Sequence, residues 1–167
     1  MSKILKSFLY IAICAFVFII LAKAYNSSLE YKTANAFEWE KDISIYLSNG
    51  KMGSEGDCTL VFPLTRKIIN AETFGPGALE ALLKGPTLED KENGYSTGIN
   101  DNVLIQKFEI LDKVAYVDFN LVFNDKVAGS CRVQAIRSQI ENTLNDLPDI
   151  DSVVISVSGE TKGILEP

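Results

Sequence analysis

Residues 131–159 read CRVQAIRSQIENTLNDLPDIDSVVISVSG, an amphipathic helix, a sharp return and a strand in immediate succession. Val133, Ile136, Ile140, Leu144 and Leu147 recur at steps of three and four. At about 100° per residue they share a stripe roughly 80° wide, with Arg132, Ser138, Glu141, Asn142 and Asn145 off it. Pro148 ends the helix, and Val153, Val154, Ile155 and Val157 make Ser152–Ser158 an apolar strand. A stripe of that width is stable only when laid on a sheet. The chain therefore packs around this helix, with the strand after it expected in the centre of the sheet.

Toward the N-terminus, Val103–Asn120 alternates as a hairpin. Phe108 and Ile110 oppose Lys107 and Glu109, Asp112-Lys113 turns, and Ala115, Val117 and Phe119 oppose Tyr116 and Asp118. Gly129 and Ser130 then supply flexibility and a cap for the main helix. Upstream, Pro76 opens a helix whose apolar side is Ala78, Leu79, Leu82 and Leu83, and Gly85-Pro86 stops it. Thr87-Leu88-Glu89-Asp90 resembles a capping box, with Gly94 ending a short second helix. Ile43, Ile45 and Leu47 alternate against Ser44, Tyr46 and Ser48 as a first strand that turns at Asn49-Gly50. CTLVFPLTRKI is a second strand, at a sheet edge or bulged because Pro63 lacks a ladder donor. The order β, β, α, short α, β, β, α, β predicts an α+β two-layer sandwich: one mixed or mostly antiparallel sheet with helices on one face.

The first residues read as a targeting segment. Lys3 and Lys6 precede an apolar run over residues 7–22, which Lys23 closes. About 16 helical residues at ~1.5 Å span roughly 24 Å, so crossing a ~30 Å hydrocarbon core recruits residues 4–24 with snorkelling lysines. Residues 1–24 are thus a transmembrane signal anchor with a cytoplasmic N-terminus, or a signal peptide cut at Ala22-Lys23-Ala24. In both cases the rest lies outside the cytoplasm. Residues 25–41 have the polarity of a stalk, with Phe37 and Trp39 as aromatics available to a domain edge, and residues 42–167 form the globular domain.

Composition excludes whole classes of function. A net charge of −6 opposes nucleic-acid binding, which needs a basic field to neutralise phosphates. Histidine is absent, which removes Ser-His-Asp and Cys-His catalysis and His-ligated zinc. The glycine-rich GKMGSEGD loop lacks the spacing and the Lys-Ser/Thr ending of a phosphate-binding loop. Asp146, Asp149 and Asp151 lack the glycine and terminal Glu of a calcium loop and read as a solvated turn. No cofactor or metal is expected.

Individual side chains carry the remaining expectations. Glu80, Glu89, Asp90 and Glu92 read as charges on exposed helical turns, and Arg137 as the partner of Glu141 or of a sheet carboxylate such as Asp118. Tyr46 and Tyr116 each oppose their strand's core side, which nominates them as interface residues on a helix-free sheet face. Cys58 opens the second strand and Cys131 the main helix. In an oxidising compartment they form a disulfide if those ends meet, and two buried thiols if they do not.

CTLVFPLTRKI, ALEALLKGPTLEDKENGYSTGI, VAYVDFN and CRVQAIRSQIENTL together resemble the GerMN domain of the sporulation and spore-germination family. The resemblance covers about residues 43–165 and includes both Cys58 and Cys131. It implies an exported, often membrane-anchored or lipid-anchored module of envelope assembly or binding, with no assigned catalysis. This chain has one copy and an ordinary hydrophobic segment where a lipoprotein signal would stand. The partners implied are envelope proteins or the cell wall, and a homo-oligomer is also compatible. The rival class is an enzyme, either a thiol catalyst at Cys58 or Cys131 or a wall hydrolase pairing Asp118 with Glu80.

Overall fold

The computed structural model describes residue 13 and residues 15–25, 40–69 and 74–166. The chain divides into two units, Met1–Glu38 and Trp39–Pro167. In the first, residues 15–25 are helical. Among the described residues no helix is long and apolar enough to cross a membrane. Of the expected span over residues 4–24, residues 4–12 and 14 lie outside the described residues, as do most of the stalk, Phe37 and Trp39.

Among the described residues the second unit contains two three-stranded sheets rather than one. In the first, β1 (Glu40–Asn49) is central. It pairs antiparallel with β2 (Phe62–Ile69) from Glu40↔Ile69 to Leu47↔Phe62. Its last two residues pair with β3 (Tyr95–Ser96), a short strand that carries no alternation signal in the sequence. Pro63 sits on the edge strand β2, where its missing N–H is harmless. Ile43, Ile45 and Leu47 are buried as the alternation requires. In the second sheet, β5 (Val114–Phe119) is central, antiparallel to β4 (Ile105–Leu111) and parallel to β6 (Ser152–Val157). β6 is therefore an edge strand and not the expected centre. Asp112 and Lys113 both have positive φ, 49° and 64°, which matches the right-handed twist of the hairpin they close.

Among the described residues three α-helices complete the unit: α1 (Phe74–Leu83), α2 (Leu88–Glu92) and α3 (Ser130–Asn145). The α3 stripe Val133, Ile136, Ile140 and Leu144 is buried in one core with Leu79, Leu82, Val117, Phe119, Phe123 and Val157. Gly129, at φ 92°, occupies the N-cap position and Ser130 is the first helical residue rather than the cap. Thr87 and Asp90 form the capping box of α2.

Buried polar side chains of α3 bond to the first sheet. Tyr46 N–H donates to Thr143 Oγ1 at 2.9 Å. Gln139 Nε2 donates to Ser48 Oγ at 3.1 Å, and its Oε1 accepts from Thr97 Oγ1 at 2.7 Å. Gln139 and Thr143 are fully buried, so each polar atom needs a partner, and β1 supplies part of that demand. At Tyr46 a helix side chain thus takes the place of a further strand, bonding a β1 amide that neither β2 nor β3 reaches.

Candidate functional site

The outer face of the second sheet is the candidate site. β5 places Val114, Tyr116 and Asp118 there. Their cross-strand neighbours are Leu111, Glu109 and Lys107 on β4, and Ser152, Val154 and Ser156 on β6. Period-two alternation sends the opposite set, Ala115, Val117 and Phe119, into the core. Tyr116 remains 42% exposed, Leu111 57% and Val154 37%, a run of apolar side chains across all three strands. One end of the face is polar. Lys107 pairs with Glu109 at 2.9 Å, and Asp118 Oδ1 accepts from Ser156 Oγ at 2.6 Å and Gly159 N–H at 2.8 Å. Lys107, Glu109, Leu111, Tyr116, Asp118, Ser156 and Gly159 line a shallow depression of about 290 Å³. The face thus sets exposed apolar side chains beside an internally bonded polar group of Lys107, Glu109, Asp118 and Ser156.

Tyr46 does not share this face, because it stands on the first sheet. It is half-buried and its hydroxyl donates to Asp146 Oδ1 at 3.1 Å. Burial, and then the hydrogen bond to and charge of Asp146, push that phenol above its usual range. The other members of the acidic turn are separate: Asp151 pairs with Lys113 at 3.4 Å, and Asp149 is exposed. Arg137 reaches Glu141 at 3.6 Å, the first of its two expected partners.

Cys58 and Cys131 are joined in a disulfide with Cα atoms 5.2 Å apart. The bond ties the loop between β1 and β2 to the first turn of α3. Both sulfurs lie toward the rim of the unit, Cys131 exposed and Cys58 half-buried, rather than inside the core. While the bond holds, neither sulfur is a nucleophile. Asp118 and Glu80 line separate depressions, so the carboxylate pair of the hydrolase reading is not brought together.

Two polar anchors escaped the sequence reading. Asp90 is buried and paired with Arg66, not solvated on a helical turn. Burial raises its pKa, but the Thr87 amide and hydroxyl and the Arg66 guanidinium outweigh this and hold the carboxyl below its usual range. Arg132 donates to Gly98 O at 3.0 Å, Asn100 Oδ1 at 2.6 Å and Lys126 O at 3.2 Å. The capping-box spacing was the one local signal for Asp90. Arg132 had none, because all three acceptors belong to loops.

The helices and the two three-stranded sheets define a small α+β domain. Residues 44–163 match the family Germane, sporulation and spore germination, and the chain belongs to that family. It is 27% identical over 154 residues to the spore germination protein GerM of Bacillus subtilis (strain 168), covering 87% of this chain and 39% of that protein. The chain thus spans about two fifths of that relative's length. Among solved structures, the first GerMN domain of the sporulation protein GerM from Bacillus subtilis superposes with a TM-score of 0.57 at 22% identity, covering 72% of this chain and 85% of that one. The tandem GerMN domains of the same protein give 0.57 at 25% identity, covering 73% of this chain and 40% of that one.

Proposed function

We propose that the domain is a non-enzymatic binding or assembly module, held at the outer face of the cytoplasmic membrane, that contacts envelope proteins or the cell wall in a sporulation- or germination-type process. The observation that carries the reading is the exposed Leu111, Tyr116 and Val154 surface on the second sheet, since large apolar side chains set in a polar rim favour a protein partner. The disulfide supports an oxidising compartment, and Lys3 and Lys6 before the apolar run support a cytoplasmic N-terminus. Membership in the family supports the process.

The test is capture of envelope proteins by the full chain and by Tyr116→Ala. Tyr116 projects from the face without a buried partner, so the variant keeps its melting temperature while capture falls. Unchanged capture by a folded Tyr116→Ala protein contradicts the reading. A reporter that works only in the cytoplasm, fused after Pro167, is expected to be silent. Activity from that fusion refutes the location.

A further inference from the structure

The strand edges of this domain are not equally protected. An open edge exposes a row of N–H and C=O groups, and proteins blunt such edges with charges, proline, bulges or short length. β2 carries Pro63, Arg66 and Lys67. β4 has a register break between Ile105 and Lys107 and presents Lys107 and Glu109. β3 is two residues long. β6 has none of these devices. Its sequence, SVVISV, lacks charge and proline, and its register with β5 is unbroken from Ser152 to Val157.

The backbone bonds fix which groups of β6 face outward. Ser152 N–H donates to Lys113 O at 3.4 Å and Ser158 N–H to Phe119 O at 2.9 Å. A parallel ladder uses alternate residues, so Ser152, Val154 and Ser156 turn toward β5 and Val153, Ile155 and Val157 turn away. Val157 is closed internally: its N–H donates to Glu160 O at 2.9 Å and its C=O accepts from Glu160 N–H at 3.1 Å. Among the described residues nothing bonds the outward groups of Val153 and Ile155. One end of the edge is therefore stopped and a short section is open.

Charge decides what fits. Asp149 and Asp151 precede the strand, Glu160 follows it, and Asp118 lies on the adjacent strand. Lys113 offsets Asp151 only through an exposed pair. A second copy added antiparallel must keep core-side residues against core-side residues. With Val154 opposite Val154, Asp151 falls opposite Val157, and Asp149 beside Glu160. That juxtaposes acids at both ends. A strand with basic ends meets opposite charge in the same places.

We propose that the outer edge of β6 is a strand-addition site. It accepts, in extended conformation, a segment of a partner protein with apolar alternate residues and lysine or arginine at its ends. Main-chain bonds to Val153 and Ile155 hold the segment, and the acidic flanks select it. The proposal rests on the binding-module reading and names how one partner is held.

The probe is a fluorescein-labelled synthetic peptide of alternating valine and threonine with lysine at both ends, titrated onto the full chain. Saturable anisotropy is expected, weakening with salt, together with slowed amide exchange at Val153 and Ile155. Val153→Pro deletes an outward donor at a position where an edge strand tolerates proline, and is expected to weaken binding by at least about tenfold. Asp149→Lys with Glu160→Lys, both on exposed residues, is expected to switch preference to a second version of the peptide that carries glutamate at both ends. This variant keeps the test intact should Val153→Pro not fold. Equal binding by native chain and folded Val153→Pro, or indifference to the peptide's end charges, overturns the proposal. So does a concentration-dependent dimer that Val153→Pro abolishes, because a second copy is then the occupant. A chain that ignores the peptide but captures envelope proteins through Tyr116 overturns the edge site and leaves the module reading standing.

Discussion

Removing the Cys58–Cys131 bond by Cys58→Ser with Cys131→Ser probes the stability of the domain most directly. The bond spans 73 positions of sequence. In the chain-entropy description, freeing a loop of that length returns to the unfolded chain the equivalent of about 4 kcal/mol. The folded state loses little in exchange, since Cys131 is exposed and Cys58 only half-buried, and serine fills nearly the same space. Of a total stability of roughly 5–15 kcal/mol for such a domain, this is a large fraction. At a few degrees per kcal/mol for a unit of this size, the melting temperature is expected to fall by about 15 °C. Urea titration separates causes: the unfolded variant, no longer cross-linked, exposes more surface, so its slope rises along with the drop in midpoint. A double variant melting within a few degrees of the native chain refutes the entropic account. Quantitative thiol labelling of native-compartment protein under denaturing, non-reducing conditions refutes the bond itself.

Other expected outcomes follow from single contacts. Asp90 is held charged in the folded state below its usual pKa, so its contribution is present above the unfolded value and is lost as pH falls through the folded one. Asp90→Asn should therefore flatten the acid limb of a stability-versus-pH curve and lower neutral-pH stability by about 2 kcal/mol through the broken cap and ion pair. An unchanged limb would assign the acid sensitivity elsewhere. A Cβ at Gly75 would run into the Phe108 ring, so Gly75→Ala is expected to destabilise by about 1–3 kcal/mol despite alanine's better helix propensity. Chemical denaturation of Gly75→Ala with and without Phe108→Leu checks this, because the smaller side chain should recover much of the loss.

Local signals in the sequence translated well into structure where the partner lay close in the chain. The stripe from Val133 to Leu144, the turn at Asp112-Lys113 and the Thr87–Asp90 box are each settled within a few residues. Membership in the sporulation and germination family was equally legible, from four motifs that together span the domain. The bonds of α3 to the first sheet were not legible, because Gln139 and Thr143 look like ordinary polar helix positions. Their bonds to Ser48 and Tyr46 cross 91 and 97 positions, a distance over which periodicity says nothing. β6 looked central because it is almost wholly apolar, but Ile155 and Val157 are buried against the core without a second neighbouring strand. Alternation set Tyr46 and Tyr116 opposite the buried residues of their strands. It could not show that the strands belong to different sheets, nor that Asp146 engages one of the hydroxyls.

The side-chain closure of β1 by α3 also sets a constraint on folding order. The Tyr46 amide and its acceptor on Thr143 are 97 residues apart, so β1 and β2 can zip into a ribbon long before the group that finishes their sheet has been synthesised. Until α3 docks, one side of β1 is a bare template for pairing with other chains, and contacts this distant in sequence form slowly. Docking of α3 is therefore expected to close that side of β1 after the β1–β2 ribbon has formed. Hydrogen exchange at the single Tyr46 amide is a clock for that step, because its protection reports the docking of a helix and not the pairing of a strand.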